Sequence, residues 1–188
     1  MGQITIHKTI DAPVDTVFAY VDDYKNTTKY MRGLTKWKPT GKETHGKGAQ
    51  FEVAMKAGPS TLGSVVDITT WTENGAIGWV SRTGFKQSGK WSFRGKGDKT
   101  DVTFDMSYEF GGGIAGRLIG KAAEPIVRLN LQQSVDALKS QTEKIKPKAE
   151  AKPAAANARG ATTRASAKPS AAKKTSTKKT ADRSKTFR

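Results

Sequence analysis

The chain has 188 residues, with 33 Lys and Arg against 17 Asp and Glu and a net charge of +16, enough for one domain and an additional segment. It holds no cysteine, which excludes a disulfide framework and a thiolate metal site. No run approaches the ~18 consecutive apolar residues of a membrane span, and MGQITIHKTIDAP lacks the basic-then-apolar order of a secretory signal, so a cytoplasmic location is expected.

The chain opens on GQITIHKTI, where Ile4, Ile6 and Ile10 alternate with Thr5, His7 and Thr9, the period of a strand. Asp11-Ala12-Pro13 reads as a helix start, with Asp11 as an acidic cap candidate and proline in the first turn. Val14, Val17, Phe18 and Val21 form that helix's apolar stripe. Asp22-Asp23-Tyr24 breaks it, and a second short helical piece is expected near Thr27 to Met31.

From Leu34 the pattern becomes strands separated by glycine-rich turns. Six are predicted: LTKWKPTG, GAQFEVAMKA, STLGSVVDITTWT, AIGWVSRTG, SGKWSFRG and DVTFDMSYEF. Turns this short make an antiparallel meander. In the last strand Val102, Phe104, Met106, Tyr108 and Phe110 face one way, while Thr103, Asp105, Ser107 and Glu109 face the other. Phe51, Val53 and Met55 repeat the alternation, as do Trp91 and Phe93.

Gly111 to Gly113 then turn the chain into a long helix, expected from Ile114 to about Lys146. Leu118, Ala122, Ile126 and Leu129 recur at helical spacing, as do Val127, Leu131, Val135 and Leu138, so a wide buried face is predicted. Pro125 interrupts this helix and is expected to kink it. The aromatic and apolar residues of the strands, Trp71 and Trp79 included, admit two readings: a solid core or the lining of a cavity.

One strand, the block IDAPVDTVFAYVDDY, a curved meander containing GWVSRTG, and a terminal helix ending in SVDALKSQTE resemble the START-like helix-grip superfamily. Within it, the chain is most similar to bacterial polyketide cyclase/dehydrase-type (SRPBCC) proteins. The likeness covers residues 3–143 and implies an α+β fold, a seven-stranded antiparallel sheet gripping the C-terminal helix, with a cavity between them. The lining it implies is Phe51, Val53, Met55, Trp79, Trp91, Phe104, Met106, Tyr108, Leu118, Ala122 and Ile126. Small residues in the first half of the helix (Ala115, Gly116, Gly120, Ala122, Ala123) would leave room there. Members of the superfamily include lipid carriers, hormone and pigment binders and ring cyclases. The expected function is therefore binding of a hydrophobic small molecule or lipid, with a cyclase/dehydrase-like enzyme as the alternative.

Residues 1–146 form this domain, and residues 147–188 are a separate segment rich in Lys, Ala and Pro. Twelve basic residues there face only Glu150 and Asp182, a net +10 that leaves +6 for the domain. Such a composition cannot bury enough apolar surface to fold, and it is expected to be disordered. Its likeness to the tails of histone-like proteins is compositional only. Lys168, Lys173, Lys174, Lys178, Lys179, Arg183 and Lys185 are the candidates for contact with DNA, RNA or an anionic membrane. A nucleic-acid-associated protein whose tail is the working part is the third reading.

No catalytic residue is assigned. His7 on the polar strand face and His45 in a glycine-rich turn read as surface residues. Tyr108 and Arg82 are the pair that could polarise a carbonyl inside a cavity, although a buried tyrosine and a rim arginine explain them as well. Two distant histidines give no metal spacing, and no cofactor is expected. GRLIGK lacks the Ser or Thr and the spacing of a phosphate loop.

Overall fold

A computed structural model of the protein describes residues 1–57 and 60–145. Strand β1 (Gly2–Ile10) leads through Pro13 to α1 (Val14–Asp22), a single turn of 3-10 helix (Tyr24–Asn26) and α2 (Thr27–Tyr30). Strands β2 (Leu34–Pro39), β3 (Gln50–Ala57), β4 (Ser60–Thr72), β5 (Ala76–Gly84), β6 (Lys86–Lys96) and β7 (Lys99–Glu109) follow, and α3 (Gly113–Thr142) closes the fold. The sheet order is β1-β7-β6-β5-β4-β3-β2, antiparallel throughout. This is the antiparallel meander that the alternating strands predict, and the helix-grip architecture that the resemblance implies.

The one-sided alternation produces the core directly. Ile4, Ile6 and Ile10 of β1 and Val102, Phe104, Met106 and Tyr108 of β7 are buried on one face. The pairing register sets Ile4 against Met106 and Ile6 against Phe104. The register slips between Leu34 and Lys36 in β2, and twice along the β4–β5 ladder, at Val65/Val66, where Arg82 of β5 is the extra residue, and at Ile68/Thr70, where Thr69 of β4 is. Each slip adds local twist and bend, and together they curl the sheet around α3.

Two expectations for the helices are corrected. Asp11 does not cap α1: the cap position is Pro13, with no side-chain hydrogen bond to the helix. Asp11 instead pairs with Lys99 at 2.7 Å and with Lys139 at 3.3 Å, and its backbone N–H donates to Glu143 at 2.8 Å. These contacts tie the β1–α1 corner to the end of α3.

The second correction concerns α3. Among the described residues, α3 packs its apolar side chains into the core through Leu131, Val135 and Leu138, with half-buried Val127 and Ala137 beside them. Leu118, Ile126 and Leu129 are 64%, 65% and 53% exposed. At about 100° per residue the two apolar stripes project to opposite sides of the helix, so one sheet cannot bury both. The helix runs through Pro125, whose missing N–H leaves the Lys121 carbonyl without its helical donor. Gly112 and Gly113 have φ values of 104° and 61°, a left-handed turn that side chains disfavour.

Two buried hydroxyls fasten the layers. Thr100 donates to the Ala12 carbonyl at 2.7 Å, holding the β1–α1 corner against β7. Ser134 of α3 accepts the Arg32 N–H at 2.8 Å and donates to the Asn130 carbonyl at 2.7 Å. No described helix is long and apolar enough to cross a bilayer.

Candidate functional site

The curl of the sheet and the outward turn of α3's apolar stripe leave a space beneath the first half of that helix. It is a cavity of about 430 Å³. Trp79, Trp91, Met106 and Tyr108 line the side formed by β5, β6 and β7. Trp37, Phe51, Val53, Met55, Ile68 and Trp71 continue the lining along β2, β3 and β4. Ile119, Ala123, Ile126 and Val127 of α3 cover it.

Aromatic packing fixes these walls. Trp91 stacks on Phe104 with ring centroids 4.0 Å apart, and Trp37 stacks on Phe51 at 5.0 Å. Trp79 meets Trp37 edge-on at 5.9 Å. Trp79 and Tyr108 each lie over a glycine that stands opposite them in the sheet, Gly89 and Gly2. A Cβ added to Gly89 would stand 2.6 Å from Trp79 Cη2, and one added to Gly2 would stand 2.8 Å from the Tyr108 hydroxyl. The glycines are the space into which the rings fold.

The lining carries few polar groups. Gln87 is buried and donates from Nε2 to Ser64 Oγ at 2.9 Å. The Trp79 indole N–H and the Tyr108 hydroxyl are buried without a hydrogen-bond partner among the described residues. Burial, with the negative charge of Glu124 added, raises the Tyr108 phenol above its ordinary value, so it stays a neutral donor. At the rim, Asp22 accepts the Trp71 indole N–H at 2.7 Å and stands 3.7 Å from His45 Nδ1. Arg32 and Lys56 reach the lining from exposed positions.

Of the lining expected from sequence, the structure brings Phe51, Val53, Met55, Trp79, Trp91, Met106, Tyr108 and Ile126 to this cavity. Phe104 lies behind Trp79 and Trp91, fully buried in the core. Leu118 and Ala122 are exposed on the far face of α3, and Ala123 provides the small residue that Ala122 was expected to be. Arg82 is not with Tyr108: its guanidinium grips the Asp67 carboxylate, with Nε at 2.9 and 3.1 Å from the two oxygens. His7 hydrogen-bonds Thr103 on the outer face, as an ordinary surface residue does. Lys168, Lys173, Lys174, Lys178, Lys179, Arg183 and Lys185 lie outside the described residues.

Sequence reasoning missed His45, Gln87 and Trp37 as lining residues, while Ala123, expected among the small residues that leave room under the helix, does line the cavity. Gln87 was within reach, because counting back by two from Phe93 and Trp91 puts it on the inward face. Nothing local marks His45; a distant turn folds over to bring it to the rim.

The family model described as polyketide cyclase/dehydrase and lipid transport matches residues 1–143. The chain belongs to that family. No curated protein sequence matches this family member. Among solved structures it is similar to TTHA0849 from Thermus thermophilus, with TM-score 0.66 and 19% identity over 75% of this chain and 97% of that one. A START superfamily protein from Mycobacterium smegmatis gives TM-score 0.61 and 17% identity over 75% and 97%. The di-domain ARO/CYC StfQ from the steffimycin biosynthetic pathway gives 0.55 and 17% over 74% and 44%. At these identities the likeness is one of fold.

Proposed function

We propose that this family member binds a hydrophobic small molecule or lipid in the cavity, acting in the cytoplasm as a binding protein. The observation that carries this is the cavity itself: about 430 Å³ under α3, walled by tryptophan, phenylalanine and aliphatic side chains. That volume lies within the ~300–1,000 Å³ range of small-molecule sites. Close-packed interiors do not leave such space, and burying an apolar molecule there returns ~25 cal/mol per Å² of apolar surface. Native mass spectrometry of the protein purified from its own host tests the reading. A co-purified lipophile, released on denaturation, is expected; a bare chain mass alone contradicts it.

The segment 147–188 enters this reading as the part that meets polyanions, either nucleic acid or an anionic membrane. Lysine-rich chains bind such surfaces by releasing condensed counterions, so affinity falls steeply with salt. No aromatic residue lies between Lys168 and Lys179, so stacking adds no base preference there. Fluorescence anisotropy on duplex DNA and flotation with anionic vesicles, comparing the full chain with residues 1–146, provide the test. Loss of most binding on truncation is expected, and an unchanged affinity and salt slope contradicts it.

An enzyme is the second reading, and the Asp22–His45 pair at the rim favours it. A carboxylate beside an imidazole can orient it for proton transfer. Conversion of the recovered lipophile to a product of changed mass, abolished by His45→Ala, would select this reading over a carrier.

A further inference from the structure

We propose that the outward face of the first half of α3 docks the mouth of the cavity onto an anionic lipid bilayer. Ile114, Leu118 and Leu129 are 77%, 64% and 53% exposed, with exposed Ala122 and Pro125 between them. At about 100° per residue these five fall within an arc of ~80°, opposite the stripe that packs into the core. The same outward line continues along the second half of α3 as Gln132, Gln133, Asp136 and Ser140, all exposed. One helix thus carries a solvent face of ordinary polarity and, over about four turns, an apolar row turned to water. Single exposed aliphatic residues need no explanation, whereas a contiguous row marks an interaction surface.

The row borders the cavity. Ile119 and Ile126 line the cavity from α3 yet are 56% and 65% exposed, so they form its lip on the helix side. Arg32 and Lys56, both exposed, reach the lining from the α2–β2 connection and the end of β3. Two backbone contacts bring these residues beside α3: the Lys56 N–H donates to the Gly33 carbonyl at 2.8 Å, and the Arg32 N–H donates to Ser134 Oγ at 2.8 Å. Lys121 and Arg128 lie exposed along one flank of the row. Among the described residues, Arg32, Lys56 and Lys121 pair with no carboxylate, while Arg128 meets Glu124 at 3.4 Å. The rim's carboxylate, Asp22, is engaged by the Trp71 indole N–H.

Charge and area select the occupant. An apolar row flanked by cations is the pattern of a helix lying in a bilayer interface, its aliphatic side chains in the acyl boundary and its cations on anionic headgroups. A second copy fits less well. The row is ~24 Å long and ~10 Å wide, well under the ~800 Å² per partner of a stable interface. Antiparallel pairing about a two-fold axis also sets like flanks together, Lys121 of one copy toward Arg128 of the other. Segment 147–188 cannot cover the row, because Phe187 is its sole large apolar residue. A mouth held against lipid lets an apolar molecule pass into the cavity without crossing water. The docking surface stands on the exposed row alone; that the docked mouth takes up a ligand rests on the cavity reading above.

The chain has no cysteine, so one introduced into the full-length protein carries an environment-sensitive fluorophore at a single chosen site. Leu118→Cys and Leu129→Cys place it on the row, and Lys90→Cys places it on the polar outer face of β6. With vesicles of phosphatidylcholine and phosphatidylglycerol, emission from the first two should shift to the blue and be quenched by brominated acyl chains. The third should show neither change. In flotation with the same vesicles, the Leu118→Ser, Leu129→Ser double variant should bind at least about tenfold more weakly than wild type. Both side chains are exposed, so its fold should be kept. Equal affinities, with no blue shift at either row site, mean that segment 147–188 alone meets the lipid and overturn the proposal. A dimer in analytical ultracentrifugation that the double variant dissolves overturns it as well, in favour of a second copy. In both cases a lipophilic dye that still binds leaves the cavity reading intact, and its failure to bind overturns that reading separately.

Discussion

The indole of Trp79 lies flat against the backbone of Gly89, its partner across the β5–β6 ladder, with the ring atoms where a Cβ would be. Trp79 is 6% exposed and packs on Trp37 and Phe104. Its position therefore depends on the missing side chain of its neighbour. Gly89→Ala should cost about 1–3 kcal/mol, the usual penalty for overpacking. Gly41→Ala, where no atom lies within 4 Å of an added Cβ, should change stability by only about ±0.5 kcal/mol. Urea melts of the two variants check this, and equal losses would show that the indole moves aside freely.

Tyr108→Phe should stabilise the unliganded protein. The substitution keeps the ring over Gly2 and removes a buried hydroxyl that has no partner among the described residues. The expected gain is on the order of 1 kcal/mol. A loss of that size in a thermal melt would mean the hydroxyl has a partner in the free protein.

The two faces of α3 should respond differently to truncation. Leu138→Ala, in the core, should cost about 2–5 kcal/mol. Leu118→Ala, on a 64% exposed residue, should stay within about ±0.5 kcal/mol. Similar costs at both positions would contradict the assignment of faces.

Acid should loosen the junction between the β1–α1 corner and the end of α3. Hydrogen bonds from Lys99 and Lys139 hold the Asp11 carboxyl below its ordinary value, and a hydrogen bond from Lys139 does the same for Glu143. A lowered folded-state pKa gives stability that is present above the ordinary carboxylate value, ~4, and lost as pH falls through the lowered one. The Lys139 ammonium is shifted up by Glu143 first, so its share persists through neutral pH and fades only in strong alkali. Lys139→Met should flatten the acid limb of the stability–pH curve measured by chemical denaturation. An unchanged acid limb would show that these exposed ion pairs do not contribute.

The sheet was legible because it is buried on one face only. Strict alternation in Val102-Phe104-Met106-Tyr108 states which side is inward, and the short turns leave little choice of pairing. The helix was less legible. Periodicity shows that Leu118, Ala122, Ile126 and Leu129 share a side, and that Val127, Leu131, Val135 and Leu138 share one. It does not show which side meets the sheet, and reading both as buried made one wide face out of two opposite ones. Asp11 misled for a related reason: an acidic residue before Pro13 looks like a cap, but its partners Lys99 and Lys139 are far along the chain. His45 joins the cavity rim by tertiary folding alone, and no spacing in its turn records that. The Tyr108 and Trp79 rings are explained by cross-strand glycines, which can be found only once the register is known.

Ala123 is the residue on which to test whether the space under α3 receives a hydrophobic ligand. It lines the cavity from α3 and is half-buried, so a larger side chain there would project into the volume a ligand would fill. Binding of an environment-sensitive lipophilic dye to the full-length protein, to Ala123→Trp and to the outward-facing Ala122→Trp is the measurement. Saturable binding by wild type and Ala122→Trp, with at least about a tenfold loss in Ala123→Trp at retained thermal stability, is the predicted result. Absence of dye binding, or binding that ignores Ala123→Trp, would contradict it.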